Sequence, residues 1–193
     1  MQISYKEMVL SGYIDEIRHQ QKIYQKQNRM YKYFIQQEIS EMDEKFDSQV
    51  KDADTYEENC LIDDYQENLS LIMIGYYNEL SSMIQKLYSI FENQVSHESR
   101  FDLTMYPKIN EMKDVVNVLK HNNGRSYNVL KANNSKFLEP SKEFSDIQSG
   151  MCSSIVLNLE YDDIDGFCDE VAKAWGDRIT EYKNEQKAIK TTK

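Results

Sequence analysis

Proline and glycine are scarce in this chain, with two prolines and six glycines among 193 residues. Sandwiches and barrels need turn residues at short intervals, so this shortage argues against an all-β fold and points to long helices. Long hydrophobic runs are missing too. The most apolar stretch, Leu69 to Tyr77, is too short to cross a bilayer. Charges interrupt every N-terminal window that could serve as a signal peptide's apolar core. No membrane segment and a cytoplasmic location are therefore expected. The three cysteines, Cys60, Cys152 and Cys168, share no C-x-x-C spacing and give neither a disulfide framework nor a zinc knuckle. Basic charge is in the minority, 23 Lys and Arg against 33 Asp and Glu, for a formal charge of −10. DNA is not an expected partner, because neutralising its phosphates needs a cationic face.

What the chain does contain is helical periodicity. The length suits one domain with a core of ordinary size. From Tyr13 to Val50 there is neither Gly nor Pro, and Tyr31, Phe34, Ile35, Ile39, Met42 and Phe46 recur at three- and four-residue steps. Asp52 and Asp54 suit a helix N-terminus. The next stripe is Leu69, Met73, Tyr76, Leu80, Met83, Ile84, Leu87 and Phe91, interrupted by Gly75 at a site of close packing or a kink. Two long helices with a short linker predict an antiparallel hairpin over residues 13–97. Pro107 opens a third helix at 106–122 with Ile109, Met112, Val115, Val116 and Leu119 on its apolar face, and Gly124 supplies a C-cap. Residues 123–160 read as a loop, with one short helix near Ser126 to Lys131 and an extended stretch at 155–159. A last helix, 162–187, starts at Asp162 with Asp165 in a capping-box position, and turns Ile164, Phe167, Cys168, Val171 and Trp175 inward. The fold class is all-α. Such long Tyr- and Met-rich stripes exceed what one small core needs, so a homodimer is expected.

Charge is unevenly placed. Residues 41–67 hold 11 acidic and 2 basic residues, net −9, while residues 100–142 hold 8 basic and 4 acidic, net +4. Asp43, Glu44, Asp47, Asp52, Asp54, Glu57, Glu58, Asp63 and Asp64 make the acidic block a candidate docking face for a basic protein. A solvated turn between helices explains the same residues more plainly.

One constellation in the cationic stretch carries chemistry. In Val116-Asn117-Val118-Leu119-Lys120-His121-Asn122-Asn123-Gly124-Arg125-Ser126, Asn117 and His121 stand four apart and share a helix face. An imidazole beside an amide and two cations, Lys120 and Arg125, suits RNA hydrolysis. The His exchanges a proton while the cations steady the phosphorane. The pattern resembles that of the HEPN family, all-α proteins whose active helix carries Arg-Asn-x-x-x-His. Many of these are dimeric ribonucleases of bacterial defence and toxin–antitoxin systems, and others have lost activity. Asn117 and His121 match that motif, whereas Val116 stands at the arginine position. The resemblance spans roughly residues 55–130. It implies metal-independent RNA cleavage or RNA contact, with His121 as acid/base, Asn117 as its positioner, and Lys120 and Arg125 on the phosphate. The turn also resembles one in a group of bacterial helical proteins with N-x-x-K-H-x-x-G-x-S, matched by Asn117, Lys120, His121, Gly124 and Ser126, together with Trp175 in a late helix. That likeness implies no activity. Helix-end chemistry accounts for the motif as well, since Lys and His favour the last turn and Gly the residue after it.

Other chemistries are not represented. There is no Walker loop, no G-x-G-x-x-G, no G-x-S-x-G, no paired Glu-x-x-His, and no EF-hand spacing around Asp162, Asp163 and Asp165. No cofactor and no metal are expected. Two functions remain: a HEPN-like, RNA-directed bacterial protein centred on residues 116–126, or a non-catalytic inhibitor or assembly subunit that uses residues 41–67.

Overall fold

The computed structural model describes residues 4–51, 53–121, 124–138 and 157–191, and these form an all-α fold. Helix α1 is Tyr5–Val50 and α2 is Thr55–Ser96. A 3-10 turn, Leu103–Met105, leads into α3, Pro107–His121, followed by α4, Gly124–Ala132, and α5, Tyr161–Thr191. Helix α1 begins eight residues earlier than the absence of Gly and Pro suggested. The cause is a capping box: Ser4 Oγ accepts the Glu7 amide at 3.2 Å, and the Glu7 carboxylate accepts the Ser4 amide at 3.1 Å. Asp54 and Glu57 form the same reciprocal cap on α2. Asp52, the other expected cap, lies outside the described residues.

Three further expectations are corrected. Gly124 does not end a helix; it opens α4, which extends beyond the expected 126–131. Asp163, not Asp165, closes the start of α5 by accepting the Glu160 amide at 2.9 Å. Gly75 marks neither a kink nor a close approach, since α2 runs through it and an added Cβ would meet nothing within 4 Å. The extended stretch is partly seen: Leu157 forms an isolated antiparallel bridge with Leu138, and residues 155–156 lie outside the described residues. So does most of the expected loop, 139–156.

The core gathers where α1, α2, α3 and α5 meet. Ile164, Phe167, Cys168, Val171 and Trp175 of α5 are all buried, as their spacing predicted. Trp175 is the hub, with ring centroids of Tyr13 and Phe101 at 5.0 and 4.7 Å. Helix α5 lies antiparallel along α1: Asp165 meets Gln21, Asp169 meets Arg18, and Tyr182 sits beneath the Lys6 ammonium. Polar groups are buried at the same junction. Arg178 and Glu98 pair at 3.4 Å, and Lys6 reaches the same carboxylate at 3.1 Å.

The hairpin outgrows this core. The last buried residue of α1 is Asn28 and the first of α2 is Leu80. Tyr76 donates to Asn28 at 2.8 Å at the root of the projecting part. Beyond it, among the described residues, the two helices face each other along a half-buried seam that includes Tyr31, Ile35, Ile39, Met42 and Phe46. Phe34, expected in that seam, is 56 % exposed. At about 1.5 Å per residue, the stretch from Arg29 to Val50 makes an arm roughly 30 Å long. Among the described residues no helix is long and apolar enough to cross a membrane.

Candidate functional site

The α3–α4 corner carries the motif. Helix α3 buries Ile109, Met112, Val115, Val116 and Val118 against the body, which leaves Asn117, Lys120 and His121 toward its outer side. Asn117 is half-buried and engaged. Its Nδ2 lies 3.5 Å from Ser126 Oγ, and Ser126 in turn donates to Asp114 Oδ1 at 2.8 Å. Asp114, Ser126 and Asn117 thus tie α4 onto α3 through a buried hydroxyl. Ser126 and Asn117 belong to the N-x-x-K-H-x-x-G-x-S pattern, and their contact gives that pattern a structural purpose. Asp114 was not singled out from the sequence. Its position three residues before Asn117, on the same helix face, is the signal that marks it.

His121 is exposed at the end of α3, and among the described residues its ring has no hydrogen-bond or ion-pair partner. Asn117 therefore holds α4 rather than the imidazole. Lys120 leaves the corner in another direction, with Nζ 3.1 Å from Ser89 Oγ on α2. Arg125 is exposed in the first turn of α4. Val116, which stands where the HEPN pattern has arginine, is 1 % exposed and packs in the core. A guanidinium there would have to leave water, so the fold itself selects an apolar residue.

The acidic block sits at the far end of the arm. Asp43 accepts the Tyr65 hydroxyl at 2.6 Å, and Asp54 and Glu57 are spent on capping α2. Glu44, Asp47, Glu58, Asp63 and Asp64 are exposed, and none forms a salt bridge among the described residues. Between these acids lie partly apolar grooves. One includes Met42, Phe46, Leu61 and Tyr65, and its neighbour includes Tyr56, Cys60 and Leu61. Tyr56 is 77 % exposed and Cys60 is exposed. The sequence located this charge; its placement on a thin projecting arm follows only from where burial stops.

Compared with known protein families, curated proteins and solved structures, the chain matches none.

Proposed function

We propose that the protein is a non-catalytic interaction protein, an immunity- or inhibitor-type protein or an assembly subunit, that holds a basic partner on the acidic distal arm. One observation carries this reading. From Arg29 to Glu79 no described residue is buried, and the end of that arm presents carboxylates with no salt bridge among the described residues around the exposed Tyr56 ring and the half-buried Met42, Phe46, Leu61 and Tyr65. Helices that need only hold themselves together have no use for a core-free projection. Apolar anchors inside a charged rim are instead what a protein-binding patch requires. The test is a variant with Glu44→Gln, Asp47→Asn, Glu58→Gln, Asp63→Asn and Asp64→Asn, which spares the caps and the Tyr65 contact. It should retain its helical content and lose the partner.

A second, RNA-directed reading follows from the exposure of His121 and Arg125 at the α3–α4 corner. In a HEPN-like nuclease His121→Ala would abolish RNA cleavage without changing helical content. The homodimer belongs to either reading, and molar mass in solution tests it.

A further inference from the structure

Helix α2 carries a second stripe beside its apolar one. Asn78, Ser82, Gln85 and Ser89 recur at steps of four, three and four residues and so share one face. That face floors a groove of about 710 Å3 between α1, α2 and the end of α3, with Ser81, Lys86, Lys120 and Gln20 also in its wall. The volume lies within the range of small-molecule clefts, about 300–1,000 Å3.

Charge and hydrogen bonding both indicate what it takes. No acidic residue lines the groove, in a chain with 33 of them. Lys86 and Lys120 have no carboxylate partner among the described residues, whereas Lys6, Lys108 and Lys136 each reach one. Ser81 is only 7 % exposed, yet its hydroxyl has no hydrogen-bond partner among the described residues. Ser70, on the same helix, returns its hydroxyl to the Gln66 carbonyl at 2.8 Å. The Ser81 hydroxyl lines the groove and is open to whatever occupies it. Lysine suits phosphate as a mobile point charge, and serine hydroxyls and glutamine amides complete such a site.

We propose that this groove binds a phosphorylated small molecule of nucleotide size. The Lys86 and Lys120 ammonium groups and the Ser89 hydroxyl hold the phosphoryl oxyanion. Ser81, Ser82 and Gln85 bond the polar remainder. The site shares no residue with the acidic arm and stands or falls separately from the interaction reading.

Isothermal titration of the full chain with AMP, inorganic phosphate and adenosine tests it. AMP should bind saturably at one site, phosphate more weakly, and adenosine not at all. Lys86→Gln and Lys120→Gln, both at exposed positions, should each weaken AMP binding about tenfold, the effect of losing one charge-assisted contact. His121→Ala, which touches only the RNA reading, should leave AMP binding unchanged. Absence of saturable binding by AMP and phosphate overturns the proposal, as does binding that survives both lysine substitutions. Phosphate binding that AMP does not improve overturns the nucleotide-sized ligand.

Discussion

The Trp175 indole donates to Gln94 Oε1 at 2.8 Å, and the Gln94 amide donates onward to Glu16 at 2.8 Å and to the Tyr13 carbonyl at 3.2 Å. One buried amide thereby joins α1, α2 and α5 at the centre of the aromatic cluster. Trp175→Phe keeps a ring in that cluster but strands a buried acceptor and leaves a gap. It should cost about 3 kcal/mol in urea denaturation followed by far-ultraviolet circular dichroism. A loss well under 1 kcal/mol would show that Gln94 finds another donor.

The Arg178–Glu98–Lys6 group makes stability depend on pH. Burial pulls the Glu98 carboxyl up, but the Lys6 hydrogen bond and charge and the Arg178 guanidinium outweigh it and leave it below its ordinary value of 4.5. A carboxylate with a depressed folded-state value stabilises fully above the unfolded value. That contribution is lost as pH falls through the folded value. Glu98→Gln should cost about 3 kcal/mol at neutral pH, because it leaves the buried Arg178 without its buried partner. The gap to the wild type should narrow below about pH 4.5. A gap that stays constant well below that pH would remove the ion pair from the account.

Gly75 lies inside α2 with open space around it. Gly75→Ala should therefore raise stability by about 1 kcal/mol through helix propensity alone. Destabilisation would reveal a close neighbour at the arm's root, such as a second copy.

The two described cysteines should react very differently. Burial pushes the Cys168 thiol up to about 12, so it is held protonated and shielded, whereas Cys60 is exposed on the arm. Iodoacetamide at neutral pH followed by peptide mass spectrometry should label Cys60 in the native protein and Cys168 only after denaturation. Native labelling of Cys168 would mean that α5 opens readily.

Periodicity alone made the body legible. The faces of α3 and α5 could be read from Ile109, Met112, Val115 and Val116 and from Ile164 to Trp175, because a helix packed on one side repeats its apolar residues every three or four positions. The arm was harder. Tyr31, Ile35 and Ile39 lie in the same kind of stripe, yet they are only half-buried, and spacing does not record how deeply a face is covered. Phe34 fits the stripe by count and points to water. Gly124 shows the limit for caps: glycine after a periodic run is read as a helix end, but here a new helix begins at that residue. At the candidate site the sequence found Asn117 and His121 on one face. It could not show that Asn117 would be engaged by Ser126, a contact set by how α4 folds back. The polar stripe Asn78, Ser82, Gln85 and Ser89 was readable beside the apolar one, but only packing turns a stripe into a groove.

The most direct test of the account is capture by the immobilised full chain, in parallel with the five-site arm variant and with His121→Ala, across a salt series. The account predicts a basic protein retained at low ionic strength by the wild type and by His121→Ala. It should be lost in the arm variant, and lost from the wild type as salt screens the carboxylates. A partner that the arm variant holds equally well, or RNA recovered in its place and lost with His121→Ala, would contradict it.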